Sequence, residues 1–157
     1  MMNIDDVYFQ LIMMPFQVLK IKYEIRKNGN TYEGVINVKE FRKLFSSTLS
    51  KMSAIKLDEN TIQFMKTGDI SNVKVVEDDQ GIKIKMGEIG EIMLTDDKLA
   101  EKLNETFKEQ FGDNVTVTKK GDTIVVTVVS PQKVFLNVLN KANSPLKLEN
   151  GKLVFKL

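Results

Sequence analysis

The sequence predicts an α+β fold in which an antiparallel sheet is built from recurring helix and β-hairpin units, with the helices packed on one face. Apolar residues recur at helical spacing over Val38 to Met52, Asp96 to Phe111 and Pro131 to Ala142. Each of these segments precedes a paired alternation of period two, at 54–66, 114–129 and 145–157. Turn residues divide each pair: Asp58-Glu59-Asn60, Gly121-Asp122 and Asn150-Gly151. The three units, about 38–66, 96–129 and 131–157, follow an N-terminal helix at about 3–14. A helix that follows a strand and precedes a hairpin is most simply packed on one face of antiparallel sheet.

In chain order, Asn3 to Met14 spaces Ile4, Val7, Tyr8, Leu11 and Ile12 as a helix, with Asn3 or Asp5 available as its cap. From Leu19 the period becomes two, with Leu19, Ile21, Tyr23 and Ile25 facing one way and Lys20, Lys22, Glu24 and Arg26 the other. This predicts a half-buried strand, turning at Asn28-Gly29 into a partner at Thr31 to Asn37. Asn37 and Glu40 form a capping-box pattern ahead of Val38, Phe41, Leu44, Phe45, Leu49 and Met52; Lys39, Arg42, Lys43 and Lys51 are assigned to the polar side. Strands are expected at Val73 to Glu77 and Ile82 to Met86 around Asp78-Asp79-Gln80-Gly81, and at Ile89 to Leu94.

Thr95 caps the next helix, with Asp96 and Asp97 in its first turn, Leu99, Leu103, Phe107 and Phe111 on its buried face and Gly112 just past its end. Ser130-Pro131 opens the third helix, turning Val134, Phe135, Val138, Leu139 and Ala142 inward, and the last hairpin sets Leu146 and Leu148 against Leu153 and Phe155. No proline-rich linker, low-complexity run or charge block interrupts the series, so a single domain over 1–157 is expected. A domain of this length buries roughly 70% of the surface exposed by its unfolded chain.

The absence of cysteine and histidine removes disulfides, thiolate and imidazole metal sites, thiol nucleophiles and the Ser-His-Asp relay. Chemistry is left to carboxylates, lysine, tyrosine, hydroxyls or a carboxylate-bound divalent ion. A net charge of +2 gives too weak a field to indicate nucleic acid or membrane by itself, so any basic surface must be local. Val7 to Leu19 is broken by Gln10, Pro15 and Gln17 and lacks the flanks of a signal peptide, which makes an intracellular protein without a membrane span the expectation. Abundant lysine, asparagine and isoleucine, beside arginine only at Arg26 and Arg42, suit an AT-rich genome, with phage or viral origins as candidates.

Two constellations could carry function. Lys20 and Lys22, Lys83 and Lys85, and Lys152 and Lys156 alternate with core positions, so each pair is expected on the solvent side of its strand. Together with the basic side of the first strongly patterned helix, this gives Lys20, Lys22, Lys39, Arg42, Lys43, Lys83 and Lys85 as candidate phosphate contacts, without the exposed aromatics that stack bases. Such lysines also keep a sheet soluble and block edge pairing. Glu77, Asp78, Asp79 and Glu88 could instead hold magnesium or manganese for phosphodiester hydrolysis, although aspartate in turns has local backbone reasons to be there. No phosphate loop or DxD pair accompanies them; Gly87-Glu88-Ile89-Gly90 joins two strands and opens no helix.

Over Thr31 to Val129 the order of elements resembles one domain of a DNA sliding clamp, two strand-helix-strands halves. Val35-Ile36-Asn37-Val38-Lys39-Glu40-Phe41 and Ile92-Met93-Leu94-Thr95-Asp96-Asp97-Lys98-Leu99 stand where each half passes from strand to helix. The expected function is a non-enzymatic binding module acting on DNA or a DNA-processing partner. The alternatives are a metal-dependent nuclease or phosphotransferase, and a structural or inhibitory protein that binds another protein.

Overall fold

The computed structural model describes residues 3–51, 56–57, 62–63, 73–86, 90–140, 146–149 and 152–155. Helices and antiparallel strands alternate along the chain, as an α+β fold requires. The chain gathers into two compact units, Met1–Asn37 with Ala100–Leu157, and Val38–Leu99. Neither crossing carries a linker. One falls where a strand runs straight into a helix and the other inside a helix, so composition holds no trace of them.

In the first unit α1 (Ile4–Ile12) and α2 (Met14–Val18) precede β1 (Glu24–Asn28) and β2 (Thr31–Asn37). Asn3 caps α1 in a full capping box with Asp6. The strand expected from Leu19 is a correction. Pro15 opens the short α2, whose end is a Schellman motif: Ile21 N–H donates to Phe16 O at 2.8 Å and Lys20 N–H to Gln17 O at 3.0 Å, with Lys20 left-handed at φ 61°. Residues 19–23 are therefore not strand, and Lys20 and Lys22 do not alternate across a sheet. Gly29, with φ 62°, carries the positive angle of the following turn, which is Gly29-Asn30 because Asn28 pairs with Thr31.

The sheet of this unit runs β1-β2-β9-β8, where β8 is Val115–Lys120 and β9 is Thr123–Val129. Tyr32, Gly34 and Ile36 register with Val128, Val126 and Ile124, and all six are buried. α1 lies over this face: a Cβ at Gly34 would strike the Met13 side chain, and the rings of Phe9 and Tyr32 are 5.2 Å apart. The later part of α4 adds Phe107, stacked on Phe16 at 5.7 Å, and Asn104, whose Oδ1 accepts Val117 N–H at 2.8 Å. α5 (Pro131–Leu139) packs beside α1 and buries Val134 and Leu139. Ser130 precedes it but is left-handed and makes no side-chain cap; Asp5 of α1 accepts Gln132 N–H at 3.0 Å instead. A final hairpin, β10 (Leu146–Glu149) with β11 (Lys152–Phe155), has the expected register of Leu146 on Phe155 and Leu148 on Leu153.

The second unit holds α3 (Val38–Lys51), the short pair β3 (Lys56–Leu57) and β4 (Ile62–Gln63), and a sheet of β5 (Val73–Asp78), β6 (Gly81–Met86) and β7 (Glu91–Thr95) in that order. α4 (Asp96–Phe111) begins here, with Lys98 N–H donating to Thr95 Oγ1 at 3.2 Å. α3 packs on β5 and β6, so the sheet face bearing Val75, Glu77, Ile82 and Ile84 is covered. Gly81 is required where it stands: its φ is 147° and a Cβ would collide with the Leu94 carbonyl oxygen. The turn expected at 58–60, Glu88, and Met52 and Ala142 as inward-facing residues lie outside the described residues.

Candidate nucleic-acid interface

Arg42 departs furthest from the sequence expectation. Assigned to the polar side of its helix, it is buried, with a side chain 3% exposed. Its Nε donates to Glu77 Oε1 and its Nη1 to Asp96 Oδ2, both at 2.8 Å, while Asp79 Oδ1 stands 3.9 Å from Nη2. Burial opposes the guanidinium charge, but the bonds to Glu77 and Asp96 outweigh it and hold Arg42 protonated beyond its ordinary range. Arg42 thus leaves the set of available phosphate contacts and becomes the internal cation of the second unit. Its position was readable, because residue 42 is four after Val38 and seven before Leu49, inside the apolar stripe.

The same cluster accounts for two of the acids considered as metal ligands. Glu77 serves Arg42, and Asp79, 96% exposed, reaches toward it from the turn. Asp78 accepts Gln80 N–H at 2.8 Å, the local turn bond that favours aspartate there. Glu88 lies outside the described residues, and among those described no three acidic groups converge at metal-ligand spacing.

The lysines fall on separate surfaces. Lys39 and Lys43 are exposed along α3, away from the sheet it covers. Lys83 and Lys85 stand on the opposite, open face of the β5-β6-β7 sheet, as their alternation predicts. There they are joined by a residue outside the sequence-derived set, Lys74, directly opposite Lys85 in register. Like charges opposed across an antiparallel pair repel, and an anion bound between them relieves the repulsion. Neither Lys74 nor Lys85 has a carboxylate within 4.0 Å among the described residues, whereas Lys83 reaches Glu91 at 3.7 Å in an exposed pair that contributes little. Val76, opposite Lys83, and Met93 add apolar surface between these charges. In the first unit Lys20 and Lys22 are exposed beside the Schellman turn. The side chain of Lys152 and the whole of Lys156 fall outside the described residues.

A second polar group lies in the first unit. Asp6 accepts a short hydrogen bond from the Tyr32 hydroxyl and one from Lys27 Nζ at 3.2 Å. The Tyr32 bond, and after it the Asn3 N–H, holds the Asp6 carboxyl below its ordinary range. Burial, and then the Asp6 carboxylate, pushes the Tyr32 phenol up; Tyr32 and Asp6 in turn raise the Lys27 ammonium. This network ties α1 to β1 and β2. The chain matches no protein-family model, no curated protein and no solved structure at a significant level.

Proposed function

We propose that the protein is a non-enzymatic binding module that contacts the phosphates of DNA through the open face of the β5-β6-β7 sheet. The observation that carries this reading is the Lys74–Lys85 pair, two ammonium groups facing each other across one register position, neither with a carboxylate within 4.0 Å among the described residues, with Lys83 next to them on the same face. Glu91 of β7 stands opposite Lys85 on its other side and reaches Lys83 at 3.7 Å, so one acid serves two lysines, and β5 adds a third lysine, Lys74. With no exposed ring among the described residues of that face, contact goes to the backbone and not to base planes. Lys39 and Lys43 on α3 are a second, separate basic surface for the same polyanion or a DNA-processing partner.

Three phosphate contacts give a salt slope of about −2.7, which weakens binding by about 40-fold between 50 and 200 mM salt. Labelled single-stranded and double-stranded DNA, titrated with protein in magnesium, manganese or chelator, tests both this reading and the nuclease alternative. Retardation lost in Lys74→Glu/Lys85→Glu and retained in Lys20→Glu/Lys22→Glu supports the sheet face. Cleavage stopped by chelator and by Asp79→Ala would replace it with the nuclease. DNA neither bound nor cut would leave the face to a protein partner.

A further inference from the structure

Across the open face of the β5-β6-β7 sheet the side chains stand in rows. Lys74, Lys85 and Glu91 make one row, and Val76, Lys83 and Met93 the next. Glu91 stands directly opposite Lys85, where facing Cβ atoms are about 4.5–5.5 Å apart. Its carboxylate nevertheless goes to the diagonal lysine, with Oε1 3.7 Å from Lys83 Nζ. Val76 and Met93 flank Lys83 in its own row and offer its ammonium no partner, which leaves the diagonal acid as its counter-ion. The two side chains are 41% and 48% exposed, so the contact contributes little to the fold. Its effect falls on what the face can bind.

We infer that Glu91 is an internal counter-ion that a DNA phosphate must displace from Lys83, so that this acid sets how tightly the face holds DNA; the inference rests on the phosphate-binding reading of that face. A phosphate between Lys74 and Lys85 meets two ammonium groups with no carboxylate within 4.0 Å among the described residues, and it lies on the β5 side, away from Glu91. Lys83 is two residues back along β6, about 7 Å at the rise of a strand. A second phosphate of the same strand that arrives there meets an occupied lysine. The Lys83–Glu91 contact breaks, the Lys83–phosphate contact forms, and Glu91 is left beside the negative chain. The broken contact and the repulsion both oppose binding, and both vanish when the carboxylate is removed.

Glu91→Gln is therefore expected to bind labelled double-stranded DNA about 1.5- to 5-fold more tightly than the parent at low salt, the range an exposed ion pair spans. The gain should shrink as salt screens the pair. Because the pair is exposed, the melting curve of the variant should match that of the parent. Glu24→Gln removes an exposed acid from β1 of the first unit and controls for net charge; it should not tighten binding. The gain should also require Lys83, so that Lys83→Gln/Glu91→Gln binds no more tightly than Lys83→Gln. Loss of a merely structural residue would weaken binding, and a gain that depends on Lys83 separates the counter-ion from that role. Glu91→Gln no tighter than the parent, or tightened equally in the Lys83→Gln background, would overturn the counter-ion, while binding lost in Lys74→Glu/Lys85→Glu would still uphold the face. DNA bound by none of these proteins, or bound undiminished by Lys74→Glu/Lys85→Glu, would overturn the face and the counter-ion together.

Discussion

Replacing Arg42 by alanine should damage the second unit far more than an arginine on the polar side of a helix would. The change leaves Glu77 and Asp96, only 21% and 15% exposed, facing each other with no cation between them. Breaking a buried ion pair from one side costs about 3–5 kcal/mol. Water still reaches both carboxylates, which places the loss near the lower bound, about 3 kcal/mol. At about 2–4 °C per kcal/mol for a chain of this size, the melting temperature should fall by about 6–12 °C. The assay is thermal and urea unfolding followed by circular dichroism. Arg42→Met combined with Glu77→Gln and Asp96→Asn should recover most of the loss, since exchanging a whole buried charge set costs much less than stranding part of it. Asp79→Ala, at a distant and exposed partner, should stay within about 0.5 kcal/mol of the parent. A melt for Arg42→Ala within 1 °C or so of the parent, or a triple variant no better than the single, would refute the internal-cation role.

Two further outcomes follow from the first unit. Lys20 holds a left-handed backbone angle at the position where Schellman motifs favour glycine, so Lys20→Gly should raise the urea midpoint by about 0.5–1 kcal/mol equivalent; a destabilised variant would mean that the side chain contributes something the backbone geometry does not reveal. Asp6 titrates below its ordinary value in the folded chain, so it supplies stability present above the usual carboxylate range and lost as pH falls through the lowered value. Lys27 and Tyr32, both raised, supply stability present below their ordinary values and lost as pH rises through the raised ones. Asp6→Asn should therefore flatten the acid limb of a stability–pH profile, and an unchanged limb would remove Asp6 from the account.

Where the sequence signal is local, it is enough. α4 begins and ends where Thr95, the Asp96-Asp97 pair and Gly112 place its ends, and β8-β9 turns at Gly121-Asp122 with Lys120 on Thr123. The failures have physical causes. The left-handed turn at Lys20 carries no glycine to announce it, and alternation in Leu19 to Arg26 imitates a strand that the Pro15 helix forbids. Asp5 caps a helix 127 residues away, a partner no local rule supplies. Arg42 and Lys74 were legible. The helical angle of residue 42 puts it on the stripe, and a turn that pairs Glu77 with Ile82 also sets Lys74 opposite Lys85. Arg42 was assigned by its charge when its helical position was the stronger signal, and Lys74 was left out although the register of the hairpin places it.

The phosphate-binding face is tested most directly by the slope of log affinity for double-stranded DNA against log salt, measured for the parent chain and for Lys74→Glu/Lys85→Glu. The parent should fall with a slope of about −2.7 and the variant should lose most of both affinity and slope. Equal slopes in the two proteins, or binding insensitive to salt, would contradict a sheet face built for phosphates.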